Sequence, residues 1–156
     1  SVVTLVGMFY GAKKFKLAKE ITLYAIRSTI LIGILIGFIF FIFSDNIVSI
    51  FSDNTNIQNI SSQYLRYFVF GYPFIAISMI SGRAMQGLGK GVPMLVLTLL
   101  RVLVISVAFS VFFVFFLKKS IEWVWISQVI SVVISALIAW FWLIHVFNKI
   151  NSESKK

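Results

Sequence analysis

Few side chains in this sequence can do chemistry, and their types narrow what that chemistry is. Among 156 residues there are five acids (Glu20, Asp45, Asp53, Glu122 and Glu153), one histidine (His145) and no cysteine. Without cysteine there is no disulfide or iron–sulfur cluster, and one histidine cannot furnish the usual ligand set of a zinc site. The acids are scattered, which leaves open only a pair that meets in space, and no Ser/His/Asp or Cys/His set is evident, so neither catalysis, a metal site nor a cofactor is expected. What remains is a sparse set of hydrogen-bonding, aromatic and helix-bending residues set in long apolar runs: Gln63, Tyr67, Pro73, Phe74, Ser78 and Arg101. Residues of that kind suit the wall of an internal cavity, because polar groups set in long apolar runs face protein or water.

The elements that must position them follow from composition. Apolar residues make up 60% and charged residues 12% of the chain, against about half and about a quarter in soluble domains. The fold class is therefore all-α, a polytopic membrane helix bundle whose main partner is the lipid bilayer. The net charge of +9 is read as lysines gathered on one membrane face, not as a nucleic-acid surface.

The stretch 63–93 organises the rest. It holds YLRYFVFGYPFIAISMI, long enough to cross a bilayer, and then the basic turn SGRAMQGLGKGVP. Pro73 removes the hydrogen bond to the Val69 carbonyl and crowds that turn, so a kink is expected. The freed carbonyl needs a partner in hydrocarbon, which makes the span a candidate cavity wall. A role in shaping helix packing alone accounts for Pro73 equally well. At 100° per residue, Gln63, Tyr67, Gly71, Phe74, Ser78, Ser81 and Met85 share one stripe, which should face protein or cavity, while Arg66 and Tyr72 point elsewhere.

Taken in order, Val2 to Ala12 reads as the end of a fifth helix, too short to span the roughly 20 residues a bilayer needs. It has no signal-peptide features, and the chain reads as the tail of a longer protein. Gly7 and Gly11 have the spacing that lets helices approach closely. A basic connector with Lys13, Lys14, Lys16 and Lys19 leads to the first full span, about 21–43, in which Arg27 can snorkel. Gly33 and Gly37 in that span read as a packing face or a dimer contact. Residues 44–62 lack lysine and arginine and hold SDN twice, which suggests turn and capping chemistry and a short helix on the membrane surface. The second span covers about 63–82.

The third span covers about 93–117 and opens on Pro93, a first-turn residue. Arg101 lies eight residues in, roughly 12 Å along the helix, where either function or snorkelling explains it. The fourth covers about 121–147. Its tryptophans at 123, 125, 140 and 142 fit aromatic belts, and Ser127, Ser131, Ser135 and Ala139 make a small-residue stripe. His145 is expected at the interface. Residues 1–148 form one unit, and 149–156 are a polar, mobile tail. Counting basic residues gives eleven on the side of the connectors and the C-terminus (Lys13, Lys14, Lys16, Lys19, Arg27, Arg83, Lys90, Arg101, Lys149, Lys155, Lys156), against three (Arg66, Lys118, Lys119) on the other. That places the connectors and C-terminus in the cytoplasm of a cell-membrane protein and 44–62 outside.

GRAMQGLGKG is no phosphate loop, since Ala84 stands at the first glycine and Gly91 at the Ser/Thr position. Instead GMFYGAKKFKLAKE, IFSDNTNIQNISSQYLRYFVFGYPF, GRAMQGLGKGVPMLVLTLLR and EWVWISQVIS, in that order, resemble the C-terminal part of the multidrug and toxic compound extrusion (MATE) family. The resemblance implies the last four helices, and the end of another, of a twelve-helix, two-lobed exporter. Such a protein exchanges sodium ions or protons for small organic, often cationic, compounds, and its N-terminal lobe would be the missing partner. Some members carry an acid in the helix matching 64–82. This sequence has none there, so no coupling-ion site is identified. A lipid-linked oligosaccharide flippase of the same superfamily and a non-transporting membrane scaffold are the alternatives.

Overall fold

The computed structural model describes residues 1–116, 118 and 120–153. Helix α1 (Val2–Gly11) starts on Ser1, whose hydroxyl accepts from the Thr4 amide at 3.5 Å. After a two-residue reversal at Lys13 and Lys14, α2 (Phe15–Ile42) begins. The expected basic connector is thus mostly helix. Phe15 packs its ring 5.6 Å from that of Tyr10, and Ala18, Thr22 and Ile26 are buried at helical spacing. Those contacts hold the lysines of the first turn on the outer face.

A short helix, α3 (Ser44–Ser49), follows. The second SDN then caps α4 (Thr55–Phe68): the Asn54 Oδ1 accepts from the amides of Asn56 and Ile57 at 3.0 and 3.4 Å. The second span therefore begins well before residue 63. At Val69–Gly71 the helix tightens into a 3₁₀ turn, and α5 (Tyr72–Gly87) continues with Pro73 in its first turn. This local change of winding lies where proline withdraws its amide.

The third span runs as α6 (Val92–Leu99), a π-helical segment (Leu100–Ile105), α7 (Ser106–Val111) and a second π-helical segment (Phe112–Phe116). Pro93 sits in its first turn as expected. Its expected last residue, Leu117, and Lys119 of the next turn lie outside the described residues.

Helix α8 (Glu122–Glu153) outruns the expected end at Phe147. Val146, Phe147 and Ile150 are buried and carry the helix on, so 149–153 is not a free tail. Residues 154–156, with Lys155 and Lys156, lie outside the described residues.

Among the described residues four helices are long and apolar enough to cross a membrane: Phe15–Ile42, Thr55–Gly87, Val92–Phe116 and Glu122–Ser152. With the shorter apolar helix α1, this is the all-α membrane bundle expected. Helix α5 is its axis, with α2 on one flank and α8 on the other. Gly33 faces Tyr72 and Gly37 faces Val69, so α2 runs antiparallel to α5 and the Gly33–Gly37 pair is a packing face within the chain. Gly71 faces Val132, and Ser78 faces Ser135, so α8 runs parallel. Helix α1 closes one end: a methyl group on Gly87 would lie 2.7 Å from the Val3 carbonyl oxygen. The buried core gathers at that end, around Val6, Ala84, Met85, Leu88, Leu143 and Phe147.

Candidate functional site

The polar and aromatic residues of the second span are carried by one helix whose winding changes at Val69–Gly71, so they fall into separate settings. Above that turn, Tyr67 places its ring 5.8 Å from Trp125, and Tyr64 lies 6.3 Å from the same ring and 5.4 Å from Phe68. Gln63 and Tyr67 are exposed, whereas Trp125 is buried. Trp125 is therefore an interior contact of α4 with α8, not only a member of an interfacial belt.

Below the turn the same stripe is closed. Ser78 and Ser135 share a hydrogen bond of 3.0 Å, and Ser81 and Met85 are fully buried. The small-residue stripe of α8 has the packing role read from its spacing: Ser127, Ser131, Ser135 and Ala139 have no exposed surface. Ser127 and Ser131 bond back to carbonyls of their own helix, those of Trp123 and Gln128. Ser81 alone keeps a buried hydroxyl with no partner among the described residues.

Pro73 and Phe74 turn towards α2. With Ile34, Phe38, Phe41 and Phe70 they line an open, wholly apolar groove of about 520 Å³. A second groove of about 480 Å³ lies along the Gly33–Tyr72 contact and ends at Arg83. Arg101 stands apart on the π-helical segment of the third span, half-exposed and with no side-chain hydrogen bond or ion pair among the described residues. The fold thus brings Gln63 and Tyr67 to one site and Pro73 and Phe74 to another, with Ser78 sealed between helices.

Sequence reasoning missed the clamp beside this site. Arg66 donates from Nη2 to Asp45 Oδ2 at 2.6 Å and from Nε to Ser44 Oγ at 2.8 Å, tying α3 to α4. Turn and capping chemistry does not anticipate this role of the first SDN triplet, and no local rule links residues 21 and 22 positions apart. Among the described residues no group of three His, Cys, Asp or Glu side chains could hold a metal ion.

The sequence model of the MatE family matches residues 1–112. The chain belongs to the MatE family. No curated protein matches it by sequence. Solved MATE structures share its fold at low identity. A MOP-superfamily transporter from Pyrococcus furiosus, reported with a reversed polarity of its binding pocket, superposes with a TM-score of 0.92 at 23% identity, over 96% of this chain and 34% of that one. An outward-facing multidrug resistance MATE transporter gives 0.91 at 23%, over 97% and 34%. An inward-facing one gives 0.91 at 23%, over 97% and 35%. The chain thus spans about a third of the length of these MATE relatives.

Proposed function

We propose that this chain is the C-terminal lobe of a secondary-active multidrug efflux antiporter, which exports small organic compounds in exchange for sodium ions or protons and works against a second lobe. The observation that carries this reading is the family match together with equal similarity to outward-facing and inward-facing relatives. A unit that fits both states alike is one that moves as a body while the rest of the transporter rearranges around it.

Within that reading, Gln63, Tyr67 and Trp125 form the wall that meets substrate. Exposed tyrosine faces backed by a buried tryptophan attract organic cations through the ring quadrupole. Pro73 and Phe74 shape the helix that carries this wall, Ser78 fixes its register against α8, and Arg101 faces groups outside the described chain. The spans hold no acid between Glu20 and Glu122, so the carboxylate that couples to sodium or protons belongs to the rest of the transporter. The oligosaccharide-flippase alternative needs free cations for a pyrophosphate; Arg66 is already committed to Asp45, which leaves Arg101 to serve it. The basic end and the C-terminus are assigned to the cytoplasm.

The test is export of a fluorescent organic cation from vesicles holding the two-lobed protein. Extrusion should follow an imposed sodium or proton gradient and stop when it is dissipated, and the 156-residue chain alone should give none. Tyr67→Phe should change the ranking among substrates at unchanged membrane abundance. Export indifferent to both gradients would overturn the antiport reading.

A further inference from the structure

Two basic turns that are far apart in sequence share one construction and one end of the bundle. Helix α1 ends with the Lys14 amide bonded to the Phe9 carbonyl at 2.8 Å and the Lys13 amide to that of Tyr10 at 3.0 Å. Helix α5 ends the same way, with Lys90 bonded to Met85 at 2.9 Å and Gly89 to Gln86 at 3.0 Å. Both are left-handed helix caps with a lysine as the residue beyond. The position that needs positive φ is filled by Gly89 (φ 78°) in α5 but by Lys13 (φ 58°) in α1. Glycine holds that conformation without strain and lysine does not. A strained lysine where glycine would serve directs attention to its charge.

The close approach of Gly7 and Gly87 brings the two caps to the same end. Lys13, Lys14 and Lys16 are exposed, and Lys90 is half-buried. None of them is in an ion pair: the one salt bridge among the described residues is Arg66–Asp45, at the other end. The acid beside them is Glu20, which offsets one charge of the four. Glu20 also lines a shallow groove of about 280 Å³ with Phe9, Leu17, Ile21 and Tyr24, so apolar surface adjoins the lysines. Tyr24 and Leu17 are 70% and 42% exposed.

We propose that Lys13, Lys14, Lys16 and Lys90 form a docking surface for the phosphate headgroup of an anionic phospholipid, with its acyl chain lying along the Phe9–Tyr24 groove. Charge complementarity and continuity with the apolar span favour a lipid over a soluble anion. Each lysine near a charged headgroup strengthens binding about fivefold.

The test uses the chain purified in neutral detergent and native mass spectrometry with phosphatidylglycerol and phosphatidylcholine of identical acyl chains. Phosphatidylglycerol should be retained preferentially. Replacing all four lysines by glutamine should abolish the preference, while four arginines should keep it and so report an intact fold. Arg66→Gln, at the other end, should leave it unchanged. Lys13→Gly should raise the melting temperature in detergent by removing strain yet lower the preference about fivefold. Equal retention of the two lipids, or a preference that survives four glutamines, would overturn the proposal. So would displacement of the lipid by glycerol phosphate at equal concentration, which would identify a soluble anion as the ligand.

Discussion

Two consecutive spans are built in opposite ways. Thr55–Gly87 is the less apolar of the pair, yet 44% of its apolar stretch is buried inside the bundle, against 6% for the more apolar Val92–Phe116. In a soluble protein the order would be reversed. In lipid, apolar side chains gain nothing by leaving the hydrocarbon, and helices associate through close contact and hydrogen bonds. Gly71, Ser78, Ser81, Gly82 and Gly87 allow that contact on several faces of one helix. Val92–Phe116 has no glycine between Pro93 and Phe116, and it exposes Val102, Leu103, Val104, Phe115 and Phe116.

The strongest way to break the comparison is to give the central helix bulk. Gly87→Ala places a methyl group 2.7 Å from a main-chain carbonyl oxygen of α1, an atom that cannot swing aside. A loss of about 2 kcal/mol is expected, read by denaturant unfolding in mixed micelles. Val107→Ala on the outward face of the third span should cost under about 0.5 kcal/mol. Equal costs would show that the two spans are not packed differently.

Pro73→Ala addresses motion instead of packing. Alanine restores the amide that proline lacks, so Val69–Gly71 should rewind towards a regular α-helix and re-aim Gln63 and Tyr67 relative to Ser78. Export by the proposed two-lobed antiporter should fall several-fold with no loss of stability, since a regular helix bond is regained. Normal export per molecule would leave Pro73 with a packing role.

How much of this was legible varies with the range of the interaction. The four spans, the first-turn position of Pro93 and the serine stripe of α8 are local patterns, and the fold repeats them; at Pro73, where a kink is expected, it shows a 3₁₀ turn over Val69–Gly71. The element ends were misjudged where burial decided them: Ala18 and Thr22 draw the basic connector into α2, and Ile150 carries α8 past Phe147. Arg66 with Asp45, and Tyr67 with Trp125, depend on which helices become neighbours, and no spacing rule contains that. The π-helical segments around Arg101 also had no cue, because neither glycine nor proline marks them.

A finer test stays within the α5–α8 seam. Ser78→Ala removes the hydroxyl that meets Ser135 and should cost about 0.6 kcal/mol, the average for such bonds in a membrane protein. Ser81→Ala deletes a buried hydroxyl that has no partner among the described residues, and α8 offers Ala139 where a fourth serine would extend its ladder. Removing an unsatisfied hydroxyl should leave stability unchanged or raise it by about 1 kcal/mol. If Ser81→Ala is the more damaging of the two, the hydroxyl has a partner and the seam is wetter than drawn.

A small effect is expected at the clamp, although its bonds are short. Arg66 meets Asp45 at 2.6 Å and Ser44 at 2.8 Å, geometry that suggests strength. Both charged side chains, however, are well exposed, at 43% and 64%. Water and salt screen such a pair, and holding a long arginine costs side-chain entropy, so its net worth is about 0–1 kcal/mol. Arg66→Gln should therefore lower the melting temperature slightly at low ionic strength and not measurably at 1 M salt, where screening acts within about 3 Å. What the clamp does fix is the position of α3 against α4, one residue before Tyr67. Proteolysis or hydrogen exchange in 44–54 should rise in the variant even where global stability holds. A loss that persists at high salt, with exchange unchanged, would mean that Arg66 works through packing of its stem, and the end of the bundle around Tyr67 would then be as closed as the end around Gly87.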